Sequence, residues 1–244
     1  MHERPGSSNE EVWRAILLGL DPRYARVRAR LKHVPSPPRC KMCAAPFAGI
    51  GWPLMRLLGR APWSKNPKYC SNCFDVLSRM HGGAEIETSL LFADVRGSTT
   101  LAEGISPTEF RTRLDRFYDV ASRVIVELDG IVDKFVGDEV MAVFIPALAG
   151  ERHAERAIDA GRSLLRSMGA DGSGLPIGVG IASGVAFVGA VGEPPVTELT
   201  ALGDVVNTAA RLASAAAAGE LLVTEETAAA AGVETAGLAP RAHE

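Results

Sequence analysis

Residues 131–144 read Ile131-Val132-Asp133-Lys134-Phe135-Val136-Gly137-Asp138-Glu139-Val140-Met141-Ala142-Val143-Phe144. Two short apolar runs, 131–135 and 140–144, flank the turn Val136-Gly137-Asp138-Glu139, which is the pattern of a β-hairpin. Upstream, residues 86–95 form an apolar run of strand length that carries Asp94 near its end. Between the two, Ser106-Pro107-Thr108-Glu109 opens a helix, with Ser as cap, Pro at the first position and Glu closing a capping box. That helix is expected to run to about Asp129, with Phe110, Leu114, Phe117, Tyr118, Ala121 and Val124 on its apolar face. Downstream come a helix over about 151–168, a Gly-rich apolar run, a helix from Gly203-Asp204 to about 217 and a strand over 221–224. The order strand, helix, hairpin, helix, strand predicts an α+β fold, a ferredoxin-like sandwich.

That topology lays the first strand antiparallel beside the second strand of the hairpin. Asp94 therefore meets Asp138 at one edge of the sheet. Paired hard oxygen ligands there suit Mg²⁺ or Mn²⁺ holding a polyphosphate.

The Gly-rich run, 175–191, is uncharged and nearly long enough to span a bilayer. Gly178, Gly180, Gly184 and Gly189 interrupt it and Val and Ile fill it, so it reads as two buried strands joined at a tight turn. The start, MHERPGSSNEE, is polar and has no apolar signal core. No transmembrane segment and a cytoplasmic location are expected.

Charge divides the chain. Residues 1–85 hold 14 Lys+Arg against 6 Asp+Glu, and residues 86–244 hold 12 against 23. Such a split marks two units with different surroundings, and the basic one reads either as a docking face for an acidic partner or as a solvated helix face. In the first unit, 1–34, residues 9–34 have helical spacing, with Val12, Ile16, Leu17 and Leu20 on one face and a basic helical run from Tyr24 to His33. Pro35-Ser36-Pro37-Pro38 then reads as a stiff linker into a second segment, 35–84.

That segment holds all four cysteines, as Cys40-x-x-Cys43 and Cys70-x-x-Cys73. Two such hooks match a tetrahedral zinc site. The 26 residues between them exceed a compact zinc ribbon, an iron–sulfur cluster would also accept four thiolates, and redox-active or merely buried cysteines remain open. Between the hooks, Trp52, Leu54, Met55, Leu57, Leu58 and Trp63 form either a small core or a docking surface.

Three stretches, LFADVRGST, DKFVGDEVMAVF and TALGDVVNTAARL, resemble in order and spacing the signatures of the class III adenylate/guanylate cyclases. The resemblance covers about 86–235 and implies a catalytic domain over 85–244. On it, Asp94 and Asp138 are the metal-binding aspartates for two Mg²⁺ or Mn²⁺ ions, and the Val95 carbonyl adds a contact. The backbone at Gly97, Ser98 and Thr99 cradles the phosphates. Lys134 falls at the adenine-reading position, where guanylate cyclases place Glu, so ATP is the implied substrate. The second purine-contacting position, often Asp, falls on Thr200, as in a bacterial subclass with Thr or Ser there; a hydroxyl both donates and accepts, which predicts looser base choice. Asn207 and Arg211, four apart on one helix, match the transition-state pair.

The resemblance further implies a head-to-tail homodimer. Asp94 and Asp138 of each site come from one chain, and Lys134, Thr200, Asn207 and Arg211 from the other. No nucleic-acid partner is expected. The family continues with a strand pair carrying a triphosphate-contacting lysine, which has no counterpart before Glu244. That departure leaves a non-catalytic regulatory module as the alternative, beside a guanylate cyclase. A diguanylate cyclase shares the topology but has a GGDEF turn where this chain reads Val136-Gly137-Asp138-Glu139-Val140. No histidine is needed, and His153 reads as part of a surface-patterned helix.

Overall fold

The computed structural model describes residues 7–33, 37–74, 81–170, 175–192 and 198–234. Pro35 and Ser36 of the expected linker, residues 1–6 of the polar start and the chain end after 234 lie outside the described residues.

In chain order the elements are α1 (Ser7–Leu17), α2 (Pro22–Leu31), α3 (Trp52–Leu57), β1 (Pro62–Trp63), β2 (Asn66–Cys70), β3 (Gly82–Val95), α4 (Ser98–Gly104), α5 (Pro107–Glu127), β4 (Ile131–Val136) and β5 (Glu139–Phe144). There follow α6 (Pro146–Ala149), α7 (His153–Ala170), β6 (Ile177–Val191), β7 (Glu198–Leu202), α8 (Asp204–Ala215), β8 (Leu221–Val223) and α9 (Glu225–Ala230). The main sheet runs β4-β5-β3-β6-β7, with β8 parallel to β6. The α+β sandwich expected from the order strand, helix, hairpin, helix, strand is the fold observed.

Alternation along β3 builds two cores. Leu91, Ala93 and Val95 face α5 and α7, meeting Phe117, Ala121, Ile125 and Leu164. Leu90 and Phe92 face the other way, in one core with Ala209 and Ala213 of α8 and Trp13, Ile16 and Leu17 of α1. The four cysteines join that second core. Each of the three buried α1 side chains contributes about 2 kcal/mol of transfer free energy.

The expected pair of strands over 175–191 is one unbroken strand, β6, paired with β3 from Ile177 to Ala190. Gly178, Gly180 and Gly189 serve close approach instead of a turn. A Cβ on Gly180 would sit 2.1 Å from the Ala213 nitrogen, and one on Gly189 2.6 Å from the Gly83 Cα. Helix α8 can therefore lie directly on the strand.

Three smaller expectations are also corrected. Ser106 caps α5 by accepting from Glu109 N, but the Glu109 carboxylate takes Arg113 at 2.7 Å and does not close the box. Leu20 falls beyond α1 and is exposed, because Gly19 at φ 74° has turned the chain. His153 is buried, because the first turn of α7 faces the sheet; its Nδ1 lies 2.8 Å from Ser89 Oγ, and burial pushes its pKa down. Between the cysteine hooks, Met55 is buried and Trp63 stacks on Phe74, whereas Leu54, Leu57 and Leu58 are exposed.

Lysines tie the cysteine segment to the α5–β4 corner. Asp129, buried at φ 63°, accepts from Lys41 at 2.5 Å and Lys68 at 3.3 Å, and Asn66 donates to the Gly130 carbonyl at 2.7 Å. No helix among the described residues is long and apolar enough to cross a membrane.

Candidate active site

Strand register places the first group. Asp94 pairs with Glu139, and Val95 N donates to the Asp138 carbonyl at 3.2 Å, so the end of β3 abuts the hairpin turn. Gly137 makes that turn at φ 60°, and Tyr118 of α5 donates its hydroxyl to the Gly137 carbonyl. Gly97, at φ 69°, then turns the chain into α4 with no side chain capping the helix start. Asp94, Val95, Gly97, Ser98, Thr99 and Asp138 thus line one cavity of about 400 Å³, together with Arg96, Val136 and Glu139.

The cavity is crowded with carboxylates. Burial pushes the Asp94 pKa up, opposed by Arg96 and assisted by repulsion from Asp138. Glu139 is pushed up to about 7, by burial first and then by Asp94 and Asp138. Arg96 pairs with Asp94 and donates to the Ser214 carbonyl at 2.8 Å, anchoring this corner to the end of α8. A hard, acidic, half-buried oxygen set whose members repel one another fits Mg²⁺ or Mn²⁺, the ions class III cyclases use.

The second group centres on Asp133, a buried residue that the sequence reading passed over. Thr200 Oγ1 donates to Asp133 Oδ2 at 2.6 Å. Lys134 Nζ lies 3.7 Å from the same oxygen and 3.3 Å from Glu198 Oε2. Lys65, from the turn between β1 and β2, reaches Asp133 Oδ1 at 3.0 Å. Lys134 and Thr200 are therefore brought together, although β4 and β7 are the end strands of the sheet order.

Asn207 and Arg211 share an exposed face of α8, where Arg211 donates to Thr208 Oγ1 at 3.4 Å. Neither lines the carboxylate cavity nor the 420 Å³ cavity beside Lys134 and Lys65. Within one chain the two cavities share no lining residue, and the α8 pair lines neither. Arg96, Glu139, Asp133 and Lys65 are the polar residues the sequence reading missed. The signal available was a charge inside an apolar strand (Asp133) or beside a motif aspartate (Arg96, Glu139); Lys65 gave none.

The four cysteines converge elsewhere. Their sulfurs lie within 4.8 Å of one another and all four residues are buried. Cys70–Cys73, Cys43–Cys70 and Cys40–Cys73 are 3.3, 3.5 and 3.9 Å apart, and Arg60 approaches Cys43 Sγ at 3.3 Å. Hydrogen bonding to Cys40 and then Cys70 pushes the Cys43 pKa down, while Cys40 and Cys43 push that of Cys73 up.

A carboxylate-bearing hairpin turn that meets a strand end beside an uncapped helix start fits a class III nucleotidyl cyclase. The chain belongs to this family: the model of the adenylate and guanylate cyclase catalytic domain matches residues 83–239, more than half of the chain. Among curated relatives, it is 37% identical over 134 residues to "Adenylate cyclase 1" of Rhizobium meliloti (52% of this chain, 20% of that one). It is 33% identical over 132 residues to "Adenylate cyclase" of Anabaena cylindrica (51% and 26%). The chain thus spans about a quarter or less of the length of these relatives. Among solved structures, it is similar to the adenylyl cyclase CyaB from P. aeruginosa, with 31% identity and a TM-score of 0.57, covering 61% of this chain and 81% of that one. It is also similar to the guanylyl cyclase Cya2, at 29% and 0.58, covering 62% and 81%.

Proposed function

We propose that this chain is an adenylate cyclase that converts ATP to 3′,5′-cyclic AMP and pyrophosphate, acting as a homodimer in the cytoplasm. The observation that carries the reading is that neither cavity of one chain is lined by all three groups. The acidic cavity, the Lys134–Thr200 pair and the Asn207–Arg211 face each hold part of one cyclase site, and two chains facing head to tail complete it.

Asp94, Asp138 and the Val95 carbonyl would hold two divalent ions. When bound, these ions supply Lewis acidity toward the polyphosphate and the ribose 3′-hydroxyl. The backbone at Gly97, Ser98 and Thr99 receives the phosphates. From the partner, Lys134 donates to the adenine ring acceptor and Thr200 contacts its edge. Asn207 orients the ribose so that the 3′-oxygen attacks the α-phosphorus in line. Arg211 balances the charge that grows there as pyrophosphate leaves.

For the cysteines we favour one structural Zn²⁺. Four sulfurs on 2.3 Å bonds to one tetrahedral ion stand about 3.8 Å apart, close to the spacings present. A cluster distributes its thiolates over several irons and spreads them further. Reduced thiols also fit a cytoplasmic setting.

The test is to incubate the purified chain with Mn²⁺ and ATP or GTP and identify the product. Cyclic AMP from ATP, with slower turnover of GTP, is the expected result. Faster formation of cyclic GMP from GTP would replace the reading by a guanylate cyclase, and no cyclic product by a regulatory module.

A further inference from the structure

Thr200 stands where the base is read, and a free hydroxyl there can serve either purine, because it donates as readily as it accepts. In this structure it is not free. Its single proton goes to Asp133 Oδ2 at 2.6 Å. Asp133 is flanked by two ammonium groups, Lys65 at 3.0 Å and Lys134 at 3.7 Å, so its carboxylate is the acceptor in that bond.

Lys65 is itself fully committed. Its ammonium has three protons, and they meet three acceptors: Asp133 Oδ1 at 3.0 Å, the Asp133 carbonyl at 2.9 Å and the Leu199 carbonyl at 2.8 Å. Leu199 adjoins Thr200 on β7, and Asp133 adjoins Lys134 on β4. One lysine from the segment between the cysteine hooks therefore joins the two strands that carry the base-reading residues.

We infer that Asp133, held by Lys65, fixes Thr200 as a hydrogen-bond acceptor and so commits this subsite to the amino group of adenine. The inference rests on the reading of Lys134 and Thr200 as the base-contacting pair. Adenine presents a ring acceptor beside an amino donor; guanine presents a ring N–H beside a carbonyl acceptor. Lys134 as donor next to Thr200 as acceptor matches the first edge and opposes the second at both positions. The looser base choice expected of a hydroxyl at position 200 is thereby removed. Asp133 touches no substrate in this arrangement; it is a positioning residue acting through Thr200.

The wild-type chain gives the first test, which no folding defect can obscure. With Mn²⁺, kcat/KM is measured for ATP, for GTP and for purine riboside 5′-triphosphate, which lacks the 6-amino group. Removing that group should cost roughly tenfold, the worth of one hydrogen bond, carried mainly in KM. Preference for ATP over GTP with equal use of ATP and the purine analogue would overturn the inference alone. Preference for GTP would overturn the ATP reading and the inference with it. Should turnover be too slow to measure, the affinities of the corresponding 3′-deoxy triphosphates, which cannot cyclise, give the same three-way comparison.

The second test is a cycle of variants. In Asp133→Asn the amide can donate to Thr200 and release its proton toward a carbonyl, so the ATP:GTP ratio should fall roughly tenfold. Thr200→Val should lower the ratio similarly, and Thr200→Ser should preserve it. In the Thr200→Val background, Asp133→Asn should change the ratio no further. A folded Asp133→Asn variant with the wild-type ratio, or one whose effect persists without the Thr200 hydroxyl, would show that Asp133 does not act through Thr200.

Discussion

The acidic cavity at the end of β3 and the cysteine centre both gather anionic groups, yet they are built oppositely. Asp94 and Asp138 stand at an open turn, half in solvent, with an arginine beside them and a helix start exposed next to them. Cys40, Cys43, Cys70 and Cys73 are closed into the core that holds Leu90, Phe92 and Trp13. Hard oxygen on an accessible edge suits ions that come and go with a nucleotide. Soft sulfur sealed from water suits one ion that stays. The two regions should therefore fail differently: loss of the first should remove turnover and spare the fold, and loss of the second should loosen the fold itself.

The largest expected effect is catalytic. Asp94→Ala or Asp138→Ala should lower turnover by about a thousandfold or more while the thermal midpoint stays within a few degrees. Retained cyclisation in either variant would break the metal assignment, and a collapsed melting transition would break the contrast with the cysteines. Next comes stability. Cys40→Ser combined with Cys43→Ser should release about one zinc per chain, read by metal analysis, and should cost several kcal/mol in denaturant unfolding, because the centre shares its core with the sheet. Iron and sulfide in the preparation would count against zinc; unchanged unfolding would show that the centre is peripheral to the fold.

A mixing experiment probes the separation of groups. Asp94→Ala and Arg211→Ala, each inactive alone, should together recover roughly a quarter of wild-type activity, since about half the dimers are mixed and each has one intact site. Subunit exchange demonstrated by labelled chains, with no activity returning, would mean that each chain builds its own site.

The smallest effect is a pH dependence confined to the acidic cavity. Glu139 keeps its proton in the folded chain up to about pH 7, well above the ordinary glutamate range. Its contribution to stability is thus full below that ordinary range and is lost as pH rises toward 7. Without added divalent cation, wild type should lose on the order of 1 kcal/mol more than Glu139→Gln between pH 5 and 8, after allowance for solvent screening. Parallel melting curves for the two proteins would show that the cavity does not hold that proton.

Much of this molecule is legible along the chain because its determinants are local or periodic. Alternation marks β3 and the hairpin, Ser106-Pro107 marks the start of α5, and the hairpin topology alone is enough to bring Asp94 to Asp138. The two Cys-x-x-Cys hooks announce a shared centre by spacing. What the one-dimensional pattern misjudges depends on what comes to lie against a residue. Gly178, Gly180 and Gly189 look like turn punctuation until the C-terminal end of α8 and β3 are seen to need their missing side chains. His153 looks like surface until the first turn of α7 rolls it onto Ser89. Glu109 has two partners within reach on its own helix, and only the folded geometry selects Arg113.

The amino-acid order by itself determined the strands, the caps and the identity of the groups that could do chemistry, because propensity, patterning and ligand hardness are properties of residues and their near neighbours. Tertiary structure alone decided how those groups are oriented and which proton each carries. Lys65, Asp133 and Thr200 lie 68 and 67 residues apart in succession, and no periodicity links them. The fold brings the β1–β2 turn, β4 and β7 within hydrogen-bond reach, and at that range a hydroxyl with one proton must choose a single acceptor.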